Sequence, residues 1–196
     1  MGMMKLGQIA GTLVLALGLS ACVDATMEIE VTSEETAKGI MIVSMDRGFY
    51  EMSQASDTGD NDFCDDGSVE IVEDKAICTE VKEGRFDEIT FDDSSSESEK
   101  LKITSAGPGL VRVAFPTSTM ANDFGAGDAS DEEAQKMMEA FFAGHYLTLK
   151  VSGGDIVESN MEIAEDGQSA QLVIGFMDLV NGEADIPEEA YAVVRQ

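Results

Sequence analysis

Residues 145–176 read HYLTLKVSGGDIVESNMEIAEDGQSAQLVIGF, and the periodicity of this stretch decides the fold class. Leu147, Leu149 and Val151 alternate with Tyr146, Thr148 and Lys150, the period-two pattern of a half-buried strand. Residues 156–163 and 170–176 read as two further strands, separated by the AEDGQ turn whose Asp166-Gly167 pair suits a hairpin. A last strand spans 191–194, after Pro187. Upstream lies one well-signalled helix at about 131–143. Ser130 and Glu133 have capping-box spacing, Asp131 and Glu132 suit the first turn, and Gly144 stops it. Ala134, Met137, Met138, Phe141 and Phe142 recur at helical spacing, a stripe that fits packing on a sheet.

Working toward the N-terminus, short strands are expected at 101–104 and 110–115 around the SAGPG turn, and at 69–72, 76–81 and 86–91. Residues 46–56 read as a short helix. Met27, Ile29 and Val31 alternate with Glu28, Glu30 and Thr32, and 40–45 is the partner strand of a hairpin. Two stretches, 57–67 (DTGDNDFCDDG) and 92–100 (DDSSSESEK), read as acidic, solvated loops. Many short strands with one good helix give an α+β domain on a largely antiparallel sheet. With no long linker or internal repeat, residues 22–196 form a single mature domain.

The N-terminal segment is of another kind. Lys5 is the one charge among residues 1–7, and an apolar or small run, IAGTLVLALGLSA, covers 9–21. Thirteen residues at 1.5 Å rise reach about 20 Å, short of the roughly 30 Å of a bilayer's hydrocarbon core. A cleaved signal peptide over 1–21 fits better than a permanent span. Leu19-Ser20-Ala21-Cys22 resembles the bacterial lipobox. That resemblance implies diacylglyceryl transfer to Cys22, cleavage before it, acylation (palmitate) of the new amino terminus, and a cell-envelope location. It also implies the outer membrane, facing the periplasm, if the host has one. Two or three acyl chains anchor stably where one would not.

Of three cysteines, Cys22 is then spoken for, and Cys64 and Cys78 remain as an even pair in an exported chain. A structural disulfide is expected, since no C-x-x-C spacing or neighbouring cation argues for redox work.

The order of elements, and Gly154, Ile156, Asn160, Asp166 and Gly167 within the C-terminal stretch, resemble the LppM-type bacterial lipoprotein domain. The resemblance implies an envelope-anchored α+β domain with topological similarity to lipid-binding modules. No binding residue carries over: the chain has no Trp, and its charge scarcely permits a basic patch for an anionic head group.

Composition excludes whole classes of function. Against 39 Asp+Glu stand 12 Lys+Arg, for a formal charge of −27, so a phosphate-neutralising surface for nucleic acid cannot be assembled. One His rules out a multi-histidine metal site. No nucleophile elbow, phosphate loop or His-Glu-x-x-His occurs, and His145 reads as a strand residue, so no enzyme activity, catalytic residue or cofactor is expected.

A calcium loop is the sharper alternative. Asp62, Cys64, Asp66, Gly67, Glu70 and Glu73 fall at positions 1, 3, 5, 6, 9 and 12 of an EF-hand-like register, with Cys at a position that wants oxygen.

The leading expectation is a lipid-anchored, non-enzymatic module that binds an apolar ligand or a partner. The alternative is an assembly accessory of an envelope complex. The acidic loops are expected to face away from the bilayer.

Overall fold

The computed structural model describes residues 23–55, 63–64, 67–90, 101–118, 120, 136, 139 and 142–196. The N-terminal alternation forms β1 (Asp24–Val31), which pairs antiparallel with β2 (Thr36–Asp46), Ile29 opposite Gly39 and Val31 opposite Ala37. Helix α1 (Arg47–Ala55) follows, where a helix is expected. Next come β3 (Ser68–Val72) and β4 (Lys75–Arg85), then β5 (Lys102–Gly107) and β6 (Leu110–Pro116). The C-terminal part supplies β7 (Tyr146–Ser152), β8 (Asp155–Ser159), β9 (Glu162–Ile163), β10 (Ser169–Gly175), α2 (Phe176–Asn181) and β11 (Glu189–Arg195).

The α+β class holds, but the strands form two sheets where one is expected. Seven run in the order β3-β4-β2-β1-β7-β10-β9 and four in the order β5-β6-β11-β8. Every pairing is antiparallel except β1 with β7, which is parallel and sets Met27 opposite Leu149. The N-terminal strand thus lies at the middle of the large sheet, joined to a strand some 120 residues later in the chain.

The sheets pack face to face. Ile29, Val31, Leu149 and Val151 of the large sheet meet Val111, Val113, Phe115, Ala192 and Val194 of the small one, all essentially buried. Ile174, Phe176 and Leu179 form a second cluster beneath Ala25, Leu147 and Phe142.

The single strand expected over 156–163 is in fact two, in different sheets. Ser159 ends β8 by donating its hydroxyl to the Tyr191 carbonyl and accepting from the Met161 amide. Asn160 brackets Tyr191, accepting its N–H at 2.7 Å and donating to the Glu189 carbonyl at 2.8 Å. The buried Met161 then turns the chain into the core, and β9 joins β10.

The strand expected over 86–91 is also corrected. Strand β4 continues to Arg85, and Phe86–Glu88 is a 3₁₀ turn, closed by the Glu88 carboxylate on the Arg85 N–H at 2.8 Å. Phe91 lies outside the described residues. Phe176 ends no strand; it opens α2, which buries Phe176 and Leu179 and is capped by Gly182. The helix expected over 131–143 falls mostly outside the described residues, although Lys136, Glu139 and Phe142 are helical.

Gly153 and Gly154 let the turn between β7 and β8 pass from one sheet to the other close against the backbone of the neighbouring strand in each. At Gly153 φ is +103° and a Cβ would sit 2.2 Å from the Val31 carbonyl oxygen; at Gly154 one would sit 2.3 Å from the Arg195 oxygen.

Candidate functional site

The large sheet has two ends of different character. Strands β1 and β7 start, and β2 and β10 finish, at the end that carries Asp24. One residue, Val23, separates Asp24 from Cys22 in the chain.

Asp24 ties three strands together. Its Oδ1 accepts the Tyr146 N–H at 3.1 Å and lies 3.1 Å from His145 Nδ1, while Oδ2 faces Lys75 Nζ at 3.4 Å. Burial pushes the Asp24 pKa up, but Tyr146, His145 and Lys75 together outweigh it and hold the carboxyl below its ordinary value. His145 is thus a partner of Asp24, in the turn leading into β7, whose carbonyl also accepts the Phe176 N–H at 3.1 Å. Nothing local in the sequence signals this pair, because 121 residues separate its members.

On the face of the large sheet turned away from the core, the row of Asp24 continues through Ser44 and Ile77 to Glu70. One row further along, Val173, Thr148, Thr26, Ile42, Thr79 and Ser68 cross six strands without a charge. The next row holds Glu28 and Lys150, paired at 3.1 Å, with Ile40 and Val81 beside them. The row beyond aligns Glu30, Lys38 and Glu83.

At the far end an open cleft of about 450 Å³ lies between the β1–β2 turn and β5. Phe86, Leu101 and Ile103 form its floor; Glu34, Glu35, Arg85, Asp87 and Lys102 form its rim. Arg85 stands 3.8 Å from Glu35 and 3.6 Å from Asp87, both exposed pairs. Lys82, whose ammonium meets the Thr90 carbonyl at 2.7 Å, holds the chain where it leaves the turn after Ile89.

Cys64 and Cys78 form a disulfide with Cα atoms 5.6 Å apart. Cys78 lies opposite Val43, three residues from the Lys75 end of β4, so the disulfide holds Cys64 beside the half of the sheet nearest Asp24. Of the stretch 57–67, only Phe63, Cys64 and Gly67 are among the described residues, so the expected orientation of the acidic loops away from the bilayer lies outside them. The stretch 92–100 lies outside the described residues.

The EF-hand register is contradicted. The Cys64 sulfur is consumed by the disulfide, Glu70 lies on β3, and Glu73 occupies the β3–β4 turn with φ of 56°, where an EF-hand needs a helix. Asp62 and Asp66 lie outside the described residues. Among the described residues no cluster of three or more His, Cys, Asp or Glu is arranged to hold a metal ion. No helix among them is long and apolar enough to cross a membrane; residues 1–22 are outside this description.

No protein-family model matches the chain, and no curated protein does. Among solved structures, the NMR structure of the folded domain of LppM from Mycobacterium tuberculosis is similar at a TM-score of 0.43 and 14% identity, over 90% of this chain and 91% of that one. A likeness at that level transfers neither residues nor activity.

Proposed function

We propose that this protein is a non-enzymatic lipoprotein of the bacterial cell envelope, cleaved before Cys22, acylated there, and serving as a membrane-tethered binding module. The observation that carries the reading is the shortness of the tether. The lipobox-like LSAC at 19–22 is followed by a single residue before a strand locked into the middle of the large sheet. Two residues of extended chain span at most about 7 Å. The Asp24 end therefore sits at the lipid surface, and the uncharged row from Val173 to Ser68 follows one register row behind Asp24. Two or three acyl chains suffice to hold the domain there.

The two binding readings separate on the cleft. Five charged side chains ring a floor of three apolar ones, an arrangement that suits a protein segment better than a lipid tail. A partner-binding module is thus favoured over a carrier of an apolar ligand, and an assembly accessory remains the second reading because it uses the same anchor.

Intact-mass analysis of protein from a membrane fraction tests the anchor. The expected mass is that of a chain starting at Cys22 with acyl groups added, and Cys22→Ser is expected to abolish the modification and leave the membrane fraction. A native chain cleaved but unmodified, or uncleaved, overturns the proposal. Co-purified lipid at one equivalent would favour the apolar-ligand reading, and a stoichiometric protein would favour the partner reading.

A further inference from the structure

We propose that the free edge of β3 is a docking edge for an extended segment of a partner protein in which apolar residues alternate with Lys or Arg. This names the partner class and rests on the reading of the domain as a binding module, though not on the acyl anchor. Strand β3 is the outermost strand of the large sheet, and all five of its residues are exposed. Val69, Ile71 and Val72 are 39%, 43% and 42% exposed, an apolar run at a sheet border.

Edge strands expose unpaired amides and carbonyls, and proteins ordinarily blunt them with a bulge, a proline, a lysine or shortness. The other three edges carry such devices: β9 is two residues long, β5 carries Lys102 and a bulge before Gly107, and β8 pairs through a register shift and bears Asp155 and Glu158. Among the described residues β3 has no bulge, proline or lysine, only the single charge of Glu70, and it pairs with β4 without interruption from Ser68–Thr79 to Val72–Lys75. It is also held in shape before any partner arrives. Val69 lies opposite Cys78, whose disulfide fixes the chain just upstream. Pre-ordering of this kind lowers the entropy cost of strand addition.

Charge selects the occupant. The side chain of Glu70 lies between those of Ser68 and Val72 on one face, and Glu73 and Asp74 close the β3–β4 turn. Residues directly opposite on an added antiparallel strand have Cβ atoms about 4.5–5.5 Å apart, so a cation opposite Glu70 and apolar residues opposite Val69 and Ile71 satisfy the edge. A second copy of this chain does not. The two-fold pairing that sets Val69 against Ile71 of another copy also sets Glu70 against Glu70, and each chain carries −27.

The test uses isotope-labelled protein with the disulfide intact and two capped heptapeptides of equal composition, one alternating Lys and Val, the other with its three Val and four Lys in blocks. At about 0.15 M salt, long-range attraction is screened. The alternating peptide is expected to shift and protect amides of 68–72 and to bind roughly tenfold tighter than the block peptide. Ile71→Lys and Glu70→Lys are each expected to weaken it roughly tenfold while leaving the amide spectrum of the core unchanged. Equal binding of the two peptides, shifts centred away from β3, or undiminished binding by both variants overturns the proposal. Dimerisation that Ile71→Lys abolishes would also overturn it, in favour of a second copy. An unmodified Cys22 would remove the anchor without touching any of these readouts.

Discussion

The Asp24 end and the Glu34 end of the large sheet are built from the same strands but are secured by different means. At the first, strand termini are held by side chains from distant parts of the chain: His145, Tyr146 and Lys75 converge on one carboxylate. At the second, neutral amides bond backbone and the one carboxylate involved accepts from a backbone amide. Gln196 Nε2 donates to the carbonyls of Val31 and Gly153, the Gly109 N–H donates to the Glu34 carboxylate, and Gly153 nearly touches Val31. The Asp24 end is thus dependent on the ionisation of one partly buried group, whereas the Glu34 end keeps most of its charges in solvent. Under the proposed anchoring at Cys22, the end that would take the pull of the tether is the one cross-linked through three strands.

The most damaging way to break both ends at once is through β1, which connects them. Ile29 is fully buried between the sheets, and Ile29→Asp is expected to leave an unpaired carboxylate there. A loss of about 4 kcal/mol or more, read as failure to fold or a collapsed urea midpoint, is expected. The milder Ile29→Ala is expected to cost about 2–5 kcal/mol. A loss under about 1 kcal/mol for the alanine variant would mean that the two ends are not coupled through this strand. Next in size is the disulfide. Replacing Cys64 and Cys78 with Ser removes a link across 14 residues and is expected to cost about 3 kcal/mol in denaturant melts. An unchanged midpoint would show that β3 is held by its ladder alone.

Sequence periodicity made most of this architecture readable, strand by strand, where local pattern and tertiary demand agree. Residues 147–151 and 110–115 alternate because one face is buried, and they are strands. The errors fall where a tertiary hydrogen bond overrides the local pattern. Residues 156–163 look continuous, yet Ser159 and Asn160 bond to Tyr191, more than thirty residues on, and split the run between sheets. Phe176 continues an apolar alternation but finds its place as the first residue of a helix under Phe142. The second sheet was invisible for the same reason: alternation says that a strand has a buried face, not which strand covers it. Of the candidate site, the disulfide was legible from cysteine parity, whereas the Asp24–His145 pair was not, since neither residue carries a local signal. The exposed border of β3 was legible only in part, as an apolar run whose position at the sheet edge needs the topology.

The two ends should separate under acid. Asp24→Asn removes the charge that Lys75 and His145 face, and a cost of about 1 kcal/mol at neutral pH is expected. Because the folded pKa of Asp24 lies below its ordinary value of 3.8, its contribution is present above that pH and is lost as pH falls through the folded value. The gap in stability between wild type and Asp24→Asn is therefore expected to be constant from neutral pH to about pH 5 and to close below about pH 3.8. Urea midpoints across that range measure it, and a gap that widens on acidification would mean that Asp24 is not the group that binds the end together.

The smallest effect is expected at the opposite end, and its smallness is the point. Arg85 faces Glu35 and Asp87, but all three side chains are more than 60% exposed and the distances of 3.8 and 3.6 Å are long for ion pairs. Each pair must offset the ordering of a flexible side chain against an attraction weakened by water and salt. The turn beneath is made by backbone, since Glu88 bonds the Arg85 N–H, which alanine retains. Arg85→Ala is therefore expected to change stability by less than about 0.5 kcal/mol, with the same value at low and high salt. A loss above about 1 kcal/mol that salt removes would mean that the rim of the cleft is an electrostatic lock comparable to Asp24. The contrast between the two ends would then be one of position alone, not of mechanism.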